Sequence, residues 1–208
     1  IIASRFPAFI TPTNLASVFN DTSPLILLAI GQMIVILTKC IDLSVAANLA
    51  LTGMVVSLVN IAIPDMPIIF TMLIAISFGT VLGMFNGVLV WKLDIPPIVV
   101  TLGTMTIFRG IIFLLTEGKW VNSHEMSDKF KAFPRADILG MPVLSWIAII
   151  VVILFMIVMS RTKLGRAFYA AGGNPQAATY AGINVGPTQF SALTISGALA
   201  GLTGYQCA

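Results

Sequence analysis

Long apolar stretches separated by short polar breaks organise this sequence. Five are complete: Thr22–Thr38, Ser44–Ile63, Pro67–Trp91, Ile98–Leu115 and Val143–Met159; a sixth opens at Phe190 and is still apolar at Ala208. A hydrocarbon core ~30 Å thick is crossed by about 17–25 helical residues, so each complete run predicts a transmembrane helix. The third run, at 25 residues, would be about 37 Å long and should tilt. The breaks have local causes. Lys39, Asp42 and Ser44 mark the first turn, with Asp42 or Ser44 available as an N-cap. Pro64 and Pro67 flank the second, and Pro96-Pro97, which donate no backbone hydrogen bond, end one helix and start the next.

Two longer polar stretches remain. Thr116–Pro142 holds eight charges, four of each sign. Asn122 with Glu125 resembles a capping box, and Met126, Phe130 and Phe133 follow on one helical face. The pattern predicts a short amphipathic helix resting on the membrane or on a neighbouring loop. Ser160–Gln189 carries only positive charges, Arg161, Lys163 and Arg166. In it, Asn174 suits an N-cap, Pro175 suits N1 and Gly182 suits C′. A helix of about seven residues over Pro175–Ala181 follows. One so short is unstable alone in water and needs docking; Ala177, Ala178 and Ala181 offer a small face for it.

Composition turns this pattern into a class. Hydrophobic residues make up 58% of the 208 and charged residues 9%, with a mean hydropathy of +1.01. Soluble domains carry roughly 25% charged residues. The expected fold is therefore an all-α polytopic transmembrane helix bundle, with lipid as solvent for much of its surface. The net charge of +3 is small and dispersed, which gives no nucleic-acid signal. Cys40 and Cys207 lie far apart without metal spacing and read as small apolar groups. The chain starts at Ile1 without an initiator Met or a signal peptide and stops inside an apolar run, so residues 1–208 are expected to be one transmembrane domain trimmed from a longer protein. Span parity puts five Lys and Arg on each side of the membrane, so charge alone leaves the orientation open.

Few residues offer chemistry. Gly79, Gly83 and Gly87 recur every four residues, and Gly197 and Gly201 repeat the theme. Such stripes let membrane helices approach closely, within one subunit, at a subunit interface or along a pathway wall. Asn86 lies beside the stripe and would either bridge two helices or bind a solute hydroxyl; Gln32 carries the same ambiguity. Arg109 is the one charge well inside a span. An intramembrane Arg costs at least ~2.5 kcal/mol and is a functional candidate, unless the helix ends near Thr106 and the side chain snorkels outward. Thr101, Thr104 and Thr106 precede it and would line a polar path. Asp42, Asp65 and Asp94 all fall at span ends and His124 in a loop, so no buried proton relay is visible. Neither a metal motif nor a nucleophile–histidine set lies inside the membrane, and no phosphate-binding glycine loop is present. No catalytic residue, metal site or cofactor is therefore expected in this chain.

Several blocks together resemble a family. Ile41-Asp42-Leu43-Ser44, Asn86-Gly87-Val88-Leu89, Ile95-Pro96-Pro97-Ile98-Val99-Val100-Thr101-Leu102-Gly103-Thr104-Met105, Arg109-Gly110, Gly165-Arg166, Tyr169-Ala170, Gly173-Asn174, Ala177-Ala178, Gly182-Ile183 and Ser196-Gly197 to Gly204 resemble, in order, the permease subunits of bacterial ABC importers for ribose, rhamnose and related sugars. Lys39-Cys40 departs, standing where that family carries small residues, often glycine. The resemblance implies an inner-membrane permease that pairs with a second permease, two cytoplasmic ATPase subunits that bind ATP and Mg, and a periplasmic sugar-binding protein. It implies that Thr116–Pro142 is periplasmic and Ser160–Gln189 a cytoplasmic coupling segment. There, Gly165, Arg166, Tyr169, Asn174, Pro175, Ala177, Ala178 and Gly182 would serve ATPase coupling. Asn86, Thr101, Thr104 and Arg109 are the expected translocation path. Two other classes stay in view: a secondary carrier or channel, equally hydrophobic but independent of ATPases, and a membrane-embedded enzyme, for which no reactive set is found.

Overall fold

The computed structural model describes residues 11–117, 126–127, 130, 133, 136–138 and 141–208. Eight helices are described: α1 (Pro12–Leu37), α2 (Val45–Ala62), α3 (Ile68–Lys92), α4 (Pro97–Thr116), α5 (Val143–Arg161), α6 (Lys163–Gly173), α7 (Pro175–Tyr180) and α8 (Val185–Cys207). Two-residue strands β1 (Asp137–Ile138) and β2 (Met141–Pro142) pair antiparallel just before α5. Helices α1 to α5 are long and apolar enough to cross a membrane. The chain is thus an all-α polytopic bundle.

The ends of α2 to α5 fall within a few residues of the apolar runs. The first helix differs. It begins at Pro12, ten residues before the run at Thr22, because its polar residues satisfy themselves inside the helix. Thr22 Oγ1 donates to the Val18 carbonyl at 2.6 Å and Ser23 Oγ to that of Phe19 at 2.8 Å. Pro24 then sits within the helix. The sixth run starts five residues before Phe190, at Val185, and yields a 23-residue helix.

That last helix is the axis of the bundle. Its main partner is α3, and α2 and α1 pack on its other sides; α4 touches chiefly α2, and α5 chiefly α1. In lipid there is little hydrophobic drive between helices, so close backbone contact must supply much of the association. The seam shows this directly. A Cβ added at Gly79 would lie 2.5 Å from the Gly197 carbonyl oxygen, and one at Gly83 2.5 Å from that of Leu193. Gly201 abuts the Ala75 carbonyl. A second glycine contact joins α2 to α8, where a Cβ on Gly204 would lie 2.7 Å from the Leu49 carbonyl oxygen. Gly87 meets Phe190, whose ring lies tilted against that of Trp91 with centroids 5.6 Å apart. Buried amides close the remaining gaps, with Asn48 Nδ2 donating to the Gly79 carbonyl at 3.3 Å and Thr52 Oγ1 to Asn48 Oδ1 at 3.2 Å.

The segment before β1 does not lie loosely on a surface. Met126 and Phe130 are buried and pack against Val56, Ala75 and Tyr205 at one end of the bundle. Phe130 meets the Tyr205 ring edge-on at 5.3 Å. Asn60 clamps Ser127 twice, accepting its N–H at 2.9 Å and donating to its Oγ at 3.2 Å. The apolar face expected here is therefore turned into the bundle. Asn122 and Glu125 lie outside the described residues.

Candidate functional site

Two regions hold the singled-out residues, one inside the bundle and one at its end. The inner one is the link between α1 and α2. From Thr38 to Ser44 the chain is non-helical and strictly alternates: Thr38, Cys40, Asp42 and Ser44 are buried, while Lys39, Ile41 and Leu43 are exposed. Thr38 and Lys39 close α1 as a turn, with the Lys39 N–H on the Ile36 carbonyl at 2.9 Å and the Cys40 N–H on that of Val35 at 3.1 Å. Lys39 has φ 58°, in the left-handed region, which costs a non-glycine residue roughly 1–2 kcal/mol.

The turn falls where expected, at Thr38–Lys39, and Ser44 takes the N-cap position of α2, but the link is packed among the helices. Its partners stand deep in their helices. Asn86 Nδ2, nearly two turns inside α3, donates to Ser44 Oγ at 2.8 Å. Ser196 Oγ, about three turns inside α8, donates to Asp42 Oδ2 at 3.5 Å. Thr101 Oγ1, a turn into α4, has its one hydrogen between the Ile41 carbonyl at 3.0 Å and the Pro97 carbonyl of its own helix at 2.9 Å, and Gln32 Nε2 donates to the carbonyl of Asp42 at 3.3 Å. Asp42 Oδ1 accepts from both the N–H and the hydroxyl of Ser44, at 2.9 and 2.6 Å. Non-helical backbone at membrane depth is tolerated only where protein or a water-filled cavity surrounds it, and here protein supplies the partners. Asp42, expected at a span end, is a buried carboxylate held by hydroxyl and amide donors.

Three of the residues expected along a path lie within the packing of this chain. Asn86, Thr101 and Thr104 are all buried. Asn86 bridges α3 to the link, and Thr104 Oγ1 donates to the Thr101 carbonyl at 3.3 Å. None of the three is exposed on the surface of this chain. The reason is register: Thr101, Thr104 and Phe108 form the inward stripe of α4. Arg109 is on the opposite, exposed side with Gly103, Thr106 and Gly110, and both glycines have open space beside them. The helix runs on to Thr116, so it does not end near Thr106.

The second region is α6 and α7. Thr162 Oγ1 caps α6 by accepting the Gly165 N–H at 3.2 Å. Gly165, Phe168 and Ala171 form its buried face; Lys163, Arg166 and Tyr169 are exposed. Phe168 is fully buried among Val35, Cys40, Val90, Val100 and Leu193. Gly172 presses so closely on the Leu37 carbonyl that no side chain fits there. Asn174 caps α7, its Oδ1 accepting from the N–H groups of Gln176 and Ala177, each at 3.1 Å. Gly182, with φ 79°, ends that turn.

Two expectations for this region change. Gly165 is a packing residue, with a would-be Cβ 2.5 Å from the carbonyl oxygens of Val158 and Met159. Ala178 is only 4% exposed, so it docks α7 onto its own chain rather than facing a partner. The outward surface of α7 is Gln176, Ala177, Thr179 and Tyr180, the last 91% exposed. Tyr180, Gly172 and Asp42 were missed from sequence. A large aromatic at the tip of a short, otherwise small-residue helix was the available signal for Tyr180.

The chain belongs to the permease component family of the branched-chain amino acid transport system, whose model matches residues 14–208. It is 37% identical to the autoinducer 2 import system permease protein LsrC of Enterobacter sp. (strain 638), over 98% of this chain and 58% of the relative. It is 37% identical to the D-allose transport system permease protein AlsC of Escherichia coli (strain K12), over 94% of this chain and 59% of that protein. The ribose import permease protein RbsC of Haemophilus influenzae matches at 35%, over 98% of this chain and 63% of the relative. The chain thus spans about three-fifths of the length of these relatives. No solved structure matches it. Five apolar spans and membership in this family make it a multi-pass membrane protein.

Proposed function

We propose that this chain is part of the permease subunit of an ATP-driven, binding-protein-dependent importer of a monosaccharide or related small polar solute. The observation that carries the reading is α7: a six-residue helix, capped by Asn174, docked by Ala178 and presenting Ala177 and Tyr180 outward. A helix this short persists only on a support, and an exposed aromatic on a rigid mount suits a partner groove. The import permeases among its relatives support the same conclusion. On this reading α6 and α7 face the cytoplasm of a bacterial cell, at the inner membrane, and the Met126–Phe130 segment faces the periplasm. Two ATPase subunits, holding ATP and Mg, dock on α7; a second permease completes the path, and a periplasmic protein delivers the solute. The outward face of α4, with Gly103, Thr106, Arg109 and Gly110, would line the path. Arg109 there escapes the ~2.5–3.5 kcal/mol cost of facing lipid.

A secondary carrier is the rival, and the buried Asp42 is the observation in its favour. Reconstitution of the full-length protein separates them. Uptake of labelled D-ribose, D-allose or autoinducer 2 should require ATP, the ATPase subunits and the binding protein. Uptake driven by a solute gradient alone, without ATPase subunits, would overturn the proposal.

A further inference from the structure

We infer that the non-helical segment Thr38–Ser44 is the mechanical link that carries movement of the α6–α7 unit to α3 and α4, with Asp42 as its positioning residue. The inference rests on the importer reading above and adds a route to it.

The segment is held at both ends by different parts of the chain. At its start, Gly172 of α6 lies against the Leu37 carbonyl, and Gln189 Nε2, in the first turns of α8, donates to the Thr38 carbonyl at 3.3 Å. Cys40 shares one buried cluster with Phe168 of α6, Val90 of α3 and Val100 of α4. At its far end, Asn86 of α3 holds Ser44 and Thr101 of α4 holds the Ile41 carbonyl. Displacing α6 therefore displaces the Leu37 end of the segment. The Thr38–Lys39 turn is bonded to the last turn of α1, so it moves with that helix end, and the non-helical residues beyond it follow. The motion passes to the two helices whose buried polar groups grip the segment.

Asp42 sets the geometry of the far end. Its Oδ1 takes both hydrogens that Ser44 can give. The Ser44 oxygen is thereby left as an acceptor, which is what Asn86 Nδ2 requires. Remove the carboxylate and Ser44 is free to rotate, so the grip of α3 loosens. At the other end Lys39 takes the left-handed conformation as the residue that closes α1, with its own N–H on the Ile36 carbonyl and the Cys40 N–H on that of Val35.

The test uses the full-length permease assembled with its ATPase subunits in proteoliposomes. A single cysteine replaces Gly103, on the outward face of α4, and maleimide labelling is followed with and without ATP. A second parent carries a single cysteine at Ala177 and reports docking of the ATPase by crosslinking. In the parents, ATP should change the labelling rate at 103 and the ATPase should crosslink at 177. With Asp42→Ala, the crosslink should persist and the ATP-driven labelling change should be lost. Asp42→Asn, which keeps an acceptor for Ser44, should retain it. An undiminished ATP response in Asp42→Ala would overturn the inference, while a parent lacking crosslink or ATP response would overturn the importer reading instead. If Asp42→Ala does not assemble, Thr101→Val decides. It removes the hydrogen bond to Ile41 and keeps the shape, and an unchanged ATP response there overturns the link.

Discussion

Gly83→Leu should break the bundle, and Gly103→Leu should leave it standing. The two positions are both glycines within apolar helices, and their surroundings set them apart. At Gly83 an added Cβ would fall 2.5 Å from the Leu193 carbonyl oxygen and 2.9 Å from Gly197 Cα, both backbone atoms of the central helix. Neither can turn aside as a side chain would, so α3 and α8 must separate. Ordinary overpacking costs about 1–3 kcal/mol. Here the clash also opens the neighbouring contacts of Gly79 with Gly197 and Gly201, so a loss above ~3 kcal/mol is expected. At Gly103 nothing lies within 4 Å, and the change should stay within about 0.5 kcal/mol. Thermal melting of both variants in detergent checks this. A melting point for Gly83→Leu equal to that of the parent would show that the seam is not what holds the two helices together.

Ala177→Arg should abolish transport without unfolding, whereas Ala178→Arg should damage the fold itself. Ala177 is on the outer surface of α7, and an arginine there costs the chain nothing internally. If a partner's groove receives α7, the added bulk and charge should remove about 2 kcal/mol or more of docking energy, roughly a thirtyfold loss of affinity. Ala178 is 4% exposed. An arginine there buries a charge with no partner at hand, a change worth about 3–5 kcal/mol, and α7 should detach. Pull-down of the ATPase subunits together with detergent melting separates the two effects. A variant at 177 that still captures the ATPases at parental yield would exclude that face of α7 from the contact.

The contrast between these neighbours shows where the sequence speaks and where it is silent. Span lengths were legible because bilayer thickness sets them. The ends of α7 were legible because Asn174, Pro175 and Gly182 each do one local job. The inward face of a helix was not. A helix apolar on every side carries no 3.6-residue signal, so Thr101 and Thr104 read as a lining when they form the buried stripe of α4. Ala177, Ala178 and Ala181 are equally small, and nothing local says which one docks. The first helix began early because Thr22 and Ser23 bond their own backbone, which hydropathy counts as a break. Among the long helices, the central α8 has the highest share of buried residues and yet the weakest apolar signal. Its glycines and hydroxyls serve neighbours instead of lipid. The link Thr38–Ser44 did carry a signal, the alternation of Thr38, Cys40, Asp42 and Ser44 with Lys39, Ile41 and Leu43. Its turn at Thr38–Lys39 was legible, and its burial among four helices was not.

The most direct test of the central claim is a crosslink. The full-length permease is prepared with Cys40 and Cys207 replaced and a single cysteine at Ala177, and is co-expressed with the ATPase subunits of its transport system. A crosslink from position 177 to an ATPase subunit, changing in yield between the nucleotide-free and ATP-bound states, is the predicted result. A folded protein that gives no such crosslink and is labelled at 177 from the periplasmic side would contradict it, reversing the topology and favouring a carrier that works without ATPases.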